Sequence, residues 1–258
     1  VIQQKMIGDV LVSSIICNNL RIAYPNAQID YLVYESTIPV LEGNPNIDNV
    51  LIFQEKHRKS KREFLNLAHE IRGIKYDILI DAYSKLESWL TVLFSNATTK
   101  ISYKKFGRTF LYTHNVPLCD EPKSNIGLVI ERRLSLLSPL NLNTRIEVEP
   151  SLLVTEEERK IVAKLFNNFK LDTTKKTVMI SIVGSRLNKT YPLNYMARVI
   201  DLIAAKVDAN ILFNYIPKQR ELAKKVYNYC SEETKKKFFC SCKQTDNQPF
   251  CDGSHNKK

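Results

Sequence analysis

Short apolar runs rich in β-branched and aromatic residues alternate with longer stretches of helical period through the first half of the chain. "VIQQ", "QIDYLVY", "NVLIF", "YDILIDA" and "KISY" read as strands, and "GDVLVSSIICNNLRIAY", "TIPVLEG", "REFLNLAHEIRGI" and "KLESWLTVLFS" between them read as helices. Strands separated by helices predict βαβ units and a parallel sheet covered on both faces. A long helical stretch over residues 124–140 follows, and the Pro- and Asn-rich passage "SPLNLNTRIEVEP" then reads as a linker. Beyond it a second alternation begins. "TEEERKIVAKLFNNF" is a helix with Thr155 as its cap and glutamates in its first turn, followed by strand "TVMISIV", helix "PLNYMARVIDLIAAKV", strand "ANILFNY" and helix "KQRELAKKVYNYC". The pattern predicts an α/β chain with one domain over residues 1–145 and a second over 146–235, with ligands bound at the carboxyl ends of the strands.

Composition adds limits. With 258 residues, 44% of them hydrophobic and 25% charged, the chain can build a sizeable core without disulfide staples. No apolar run reaches the roughly 20 residues that span a bilayer, and no signal-peptide pattern precedes the first element. A cytoplasmic location with no transmembrane segment is expected. Cys17, Cys119 and Cys230 lack regular spacing and are expected to be free or buried thiols. The net charge of +11 favours polyanionic partners. Its densest run is "KHRKSKR", Lys56 to Arg62, which reads either as a solvated loop and helix start or as an anion-binding lip made by Arg58, Lys59, Lys61 and Arg62. No stacked-aromatic spacing or nucleic-acid motif accompanies it, so nucleic acid is not an expected partner.

Three short stretches could carry chemistry. Gly8 is expected to let the chain turn tightly out of the first strand, leaving Asp9 where a helix begins, as a cap or as a carboxylate facing a cleft. "GSRLNKTYP" lies between a strand and a helix, where backbone donors and Lys189 could hold phosphate oxygens, or it is a solvated loop. The third is "CSCKQTDNQPFCDGSH". Cys240 and Cys242, two apart on an extended segment, point both sulfurs to one side, and Cys251 and His255 are four apart around Gly253. Three cysteines and a histidine are common in structural zinc sites.

The segment "MIGDVLVSSIICNNLRIAYPNAQIDYLVYESTIPVLEGNPNIDNVL" resembles the amino-terminal signature of glycosyltransferase family 9, the lipopolysaccharide heptosyltransferases and their relatives, and "ISIVGSRLNKTYPLNYMARVIDLI" resembles the start of that family's donor domain. The likeness covers residues 1–235. It implies a two-domain GT-B fold, with a Rossmann-like acceptor domain and a partial second Rossmann-like domain. It also implies transfer of a sugar, with inversion, from a nucleotide-diphosphate donor to an anionic glycolipid acceptor, with no metal needed for that step. On the same footing, Asp9 is the general base, Ser185 and Lys189 contact the donor diphosphate, and the protein works in the cytoplasm, peripheral to the inner membrane of a Gram-negative bacterium. The family continues past "KKVYNYCSEET" with further αβ units, including a loop that closes on the nucleotide sugar. Where this chain changes character, at residues 235–239, weak donor binding and turnover below the family's rate are expected.

The tail resembles the CDGSH iron–sulfur family. That likeness implies that Cys240, Cys242, Cys251 and His255 hold a [2Fe-2S] cluster, that Thr245, Pro249 and Asp252 shape the ligand loop, and that two chains pair through this segment as a homodimer. Histidine in place of a thiolate raises the cluster potential and makes its stability depend on pH. Three readings remain open at this stage: a fusion carrying a redox or regulatory tail, a glycosyltransferase with an incidental tail, and a chimera that retains at most cluster binding.

Overall fold

The computed structural model describes residues 1–168, 171–184 and 186–235. The chain divides into two compact units, Val1–Val154 and the part from Thr155 onward.

In the first unit, β1 (Asp30–Tyr34) pairs in parallel with β2 (Asn49–Phe53), and β3 (Ile78–Asp81) pairs in parallel with β4 (Thr99–Tyr103), which pairs with β5 (His114–Val116). The amino-terminal segment joins the two sets. Ile2 bridges both Leu32 and Asp81, its N–H donates to the Ile80 carbonyl, and the Gln3 N–H donates to the Leu32 carbonyl. The order across the sheet is therefore β2, β1, the segment at residues 1–4, β3, β4, β5, all parallel. Chain direction across the sheet reverses at the amino-terminal segment, as in doubly wound folds.

Buried strands explain the near-continuous apolar runs. Tyr31, Val33 and Ile80 face one core with α1 (Ile7–Ala23) and Leu136 and Leu137 after α5 (Leu128–Ser135), whereas Leu32 and Leu79 face a second core with α3 (Lys61–Ile74) and α4 (Leu86–Phe94). Helix α3 shows how the pattern works: Phe64, Leu67, Ala68 and Ile71 are buried at helical spacing, and the Ser60 hydroxyl caps it by accepting from the Glu63 N–H at 3.4 Å. The run read as a solvated loop and helix start holds the start of α3 at Lys61 and, before that cap, a one-turn helix in place of the loop, α2 (Glu55–Lys59). The single long helix expected over residues 124–140 is broken. Gly127 has φ +96° and cannot be helical, so α5 starts after it, and Pro139 opens a separate 3₁₀ turn, Ser138–Leu140. "TIPVLEG" likewise contributes to a 3₁₀ turn, Glu35–Val40, around Pro39.

The segment after α5 completes the first unit by packing on α1. The Asn19 side chain donates to the Glu147 carbonyl at 2.8 Å and accepts from the Glu147 N–H at 2.9 Å. In the second unit, α6 (Glu156–Asn168) opens with the expected capping box. The Thr155 hydroxyl accepts from the Glu158 N–H at 3.2 Å, and the Glu158 carboxylate accepts from the Thr155 N–H at 2.7 Å. Parallel β6 (Lys176–Ser181) and β7 (Ala209–Asn214) then pack on α7 (Leu193–Lys206) and α8 (Arg220–Tyr229) through Ala197, Ile200, Ile211, Ala223 and Val226. A short α9 (Glu232–Lys235) ends the described chain. Cys17, Cys119 and Cys230 are free thiols, and burial pushes Cys17 and Cys230 up to about 12. Among the described residues, no helix is long and apolar enough to cross a membrane.

Candidate active site at the carboxyl edge of the first sheet

In an open parallel sheet, ligands bind beyond the carboxyl ends of the strands where strand order reverses. Here that point lies just past Gln4, and the chain enters α1 directly beyond it. Asp9 is in the first turn of α1, but it does not cap the helix. Met6 occupies the cap position with no side-chain hydrogen bond. The Asp9 carboxylate turns instead to two cations: Oδ1 lies 2.9 Å from Lys5 Nζ and 3.5 Å from Arg133 Nη2, with 21% of the side chain exposed. A carboxylate in the first helical turn is also favoured by the helix dipole. Gly8 is not required by a tight turn. It has helical backbone, and a Cβ placed there would meet nothing within 4 Å, so the approach to Asp9 from this side is open.

Arg133 reaches Asp9 from α5. It is buried, and its Nη1 donates to the Tyr103 hydroxyl at 2.7 Å at the carboxyl end of β4. Asp81 ends β3 in full burial. Its Oδ1 accepts from the backbone N–H groups of Tyr83 at 3.0 Å and Ser84 at 2.7 Å, and its Oδ2 accepts from the Tyr112 hydroxyl at 2.7 Å. Burial raises the Asp81 carboxyl above its ordinary range, and these donors pull it partly back. The bonds hold Ser84 in the left-handed region, φ 51°, and so fix the turn from β3 toward α4. Several polar atoms along this edge are buried without a partner among the described residues: both ends of the Gln4 amide and Arg133 Nε. Buried polar groups are nearly always paired, so a concentration of unpaired ones suits a polar ligand or ordered water. Another pocket, lined by Val1, Tyr24, Asp30 and Tyr76, opens at the amino ends of the strands, the wrong edge for such a ligand.

The basic lip borders the same carboxyl edge. Arg58 Nη2 donates to the Tyr34 hydroxyl at 2.6 Å, at the end of β1, and to Glu87 at 2.9 Å. Lys59 pairs with Glu55 at 2.8 Å within α2. Lys61 and Arg62, in the first turn of α3, have no ion pair among the described residues. Two of the four lip residues are thus neutralised locally and two are available to an anion. In the second unit, Lys189 ends the 3₁₀ turn Leu187–Lys189 and is exposed. The turn is closed tightly: the Gly184 N–H donates to the Thr190 hydroxyl at 3.2 Å, and a Cβ at Gly184 would fall 2.3 Å from the Lys189 carbonyl oxygen. Ser185 and the four tail ligands Cys240, Cys242, Cys251 and His255 lie outside the described residues.

Sequence reasoning did not single out Arg133, Asp81, Gln4 or Gly184. Asp81 carries a weak signal as the acid closing the run "YDILIDA"; Arg133, one of two arginines in "ERRLSLL", carries none.

Residues 64–246 match the model of glycosyltransferase family 9 (heptosyltransferase). Lipopolysaccharide heptosyltransferase 3 of Escherichia coli is 32% identical over 148 residues, 54% of this chain and 42% of that one. The protein of the same name from E. coli strain K12 is 29% identical over 143 residues, 52% and 40% of the two chains. The chain therefore matches less than half the length of these curated relatives. Among solved structures, a glycosyl transferase family 9 protein from Veillonella parvula superposes with a TM-score of 0.77 at 20% identity, covering 89% of this chain and 66% of that one. The E. coli ADP-heptose lps heptosyltransferase II gives 0.71 at 18% identity, covering 92% and 70%. At these identities the likeness speaks for the fold.

Proposed function

The chain belongs to glycosyltransferase family 9, and on that premise we propose that it serves heptosyltransferase-type sugar transfer in lipopolysaccharide synthesis, from a nucleotide-diphosphate sugar such as ADP-heptose to an anionic glycolipid. The observation that carries this reading is the Asp9 carboxylate at the strand-order reversal, partly exposed and steered by Lys5 and Arg133. In the reaction, the acceptor hydroxyl oxygen bonds to the anomeric carbon as the bond from that carbon to the diphosphate oxygen breaks on the opposite face. The hydroxyl proton passes to Asp9, and the released diphosphate carries the negative charge away. Lys5 and Arg133 hold the Asp9 carboxylate in place before attack. Lys189, with Ser185, is assigned to the diphosphate, where an ammonium stabilises charge that develops only as the bond breaks. Lys61 and Arg62, with Arg58 and Lys59 beside them, are assigned to the acceptor's phosphates. Mixing the protein, in excess, with ADP-heptose and a phosphorylated core oligosaccharide should give heptosylated product with inverted linkage and free ADP, detected by mass spectrometry. No product from this or any other nucleotide sugar would contradict the reading.

A second reading concerns residues 240–255 and rests on their sequence pattern alone. We propose that Cys240, Cys242, Cys251 and His255 hold a [2Fe-2S] cluster. Protein expressed with iron should show visible absorption that Cys251→Ser abolishes. A colourless protein with stoichiometric zinc would replace iron with zinc in this account.

A further inference from the structure

Helix α4 is apolar on both faces: Val92, Trp89 and Phe94 pack into the second core, and more apolar residues face outward. Its polar Ser88 and Thr91 are buried and satisfied, Ser88 by the backbone of Lys85 and Thr91 by the Glu87 carbonyl. Its leucines face outward at positions 86, 90 and 93, a single stripe at helical spacing, with Leu86 63% exposed. The loop after β4 lies beside this helix and is itself apolar at two exposed positions. Phe106 stands fully in solvent beside Gly107, whose φ of +73° turns the loop, and Phe110 is 82% exposed on the 3₁₀ turn that contacts α4.

This loop is anchored. The Lys105 amine and the Arg108 guanidinium both donate to the Ser84 carbonyl, at 3.0 and 3.3 Å, and Arg108 lies 3.7 Å over the ring of Trp89 on α4. Two exposed phenylalanines on a pinned loop have not collapsed onto the protein, so little ordering cost remains when they enter another phase. The surrounding charge is one-sided. Residues 85–110 contain five Lys or Arg against one carboxylate, Glu87, which Arg58 already pairs at 2.9 Å.

We propose that the outer face of α4 together with the β4–β5 loop docks on an anionic lipid bilayer, with Phe106, Phe110 and the α4 leucines entering the interface and the exposed Lys85 and Lys104 reaching the headgroups. An apolar stripe rimmed by cations fits that surface, because burial of the rings and attraction to anionic headgroups add. A second copy of the chain fits badly, since a symmetric contact through this face would set lysine against lysine. The inference stands on the surface itself and is independent of the sugar-transfer reading.

Vesicles without any glycolipid acceptor therefore test it alone. The full chain should co-sediment with phosphatidylcholine vesicles containing phosphatidylglycerol and much less with phosphatidylcholine alone. The emission of Trp89, the single tryptophan, should change on addition of the anionic vesicles. Phe106→Ser combined with Phe110→Ser should lower partitioning by at least about tenfold. Lys85→Glu with Lys104→Glu should lower it further and flatten its salt dependence. Both pairs of side chains are outside the cores, and unchanged melting would confirm folded variants. The proposal is overturned if the parent chain does not sediment with anionic vesicles, or if the variants bind as it does, which would move binding to another basic surface. It is also overturned if the Phe106 and Phe110 changes leave vesicle binding intact but dissolve a dimer in sedimentation velocity, which would make a second copy the occupant.

Discussion

Asp81 closes β3 without solvent contact, and its three hydrogen bonds determine what can replace it. Asparagine keeps an oxygen for the Tyr83 and Ser84 N–H groups and presents an amide to Tyr112, whose hydroxyl can also accept. Alanine strands all three donors, at a cost of about 3 kcal/mol or more for buried groups. Asp81→Asn should therefore stay close to the parent in urea unfolding at acidic pH, and Asp81→Ala should be clearly weaker at every pH. The pH dependence has a definite sign. A folded-state carboxyl raised above its ordinary value of 3.8 binds its proton more tightly than the unfolded chain does. Its stabilising contribution is complete below that value and is lost as pH rises through the folded value. Asparagine cannot ionise, so the stability of Asp81→Asn relative to the parent should improve as pH rises through this window. A gap that narrows in the other direction would mean that the donors outweigh burial. At this scale the place of Asp9 in the first turn of α1 was legible in the sequence, and its assignment as base came from the family resemblance. Its partner Arg133 was not legible, because 124 residues separate the two and only the packing of α5 brings them together.

At the scale of elements, the alternation of apolar runs with helical periods was legible wherever a strand is buried on both faces or a helix carries a full apolar stripe, as in β1, β3 and α3. It failed where a few backbone angles decide. Gly127 and Pro139 cut the long helix at both ends, and β5, three residues including His114 and Asn115, has neither length nor strand propensity to show itself. The amino-terminal segment reads as a strand and joins the two strand sets through its bridges, although it is too short to form a regular ladder. The loop carrying Lys189 depends on one such backbone detail. Gly184→Ala would drive a methyl into the Lys189 carbonyl, backbone that cannot move without opening the turn. Isothermal titration with ADP should show affinity falling by about tenfold or more, comparable to loss of one charge-assisted contact. Unchanged ADP affinity would separate this turn from the diphosphate.

For the whole molecule, the first unit is a complete doubly wound sheet, with both cores closed. The second unit, as described, leaves apolar side chains of α6 and β6 such as Ile161 and Met179 well exposed. The family match, residues 64–246, reaches past Cys240 and Cys242, so the family-like and CDGSH-like patterns overlap at the tail. The central claim is that the carboxylate at the strand-order reversal is the base for sugar transfer. Its most direct test is the single-turnover rate of heptose transfer by Asp9→Asn, measured beside ADP affinity in the same variant. Asparagine preserves shape and bonding to Lys5 and Arg133 but cannot take the proton, so the rate should fall by about 10²–10⁴-fold with ADP binding unchanged. Transfer at the parent's rate by Asp9→Asn would contradict the account.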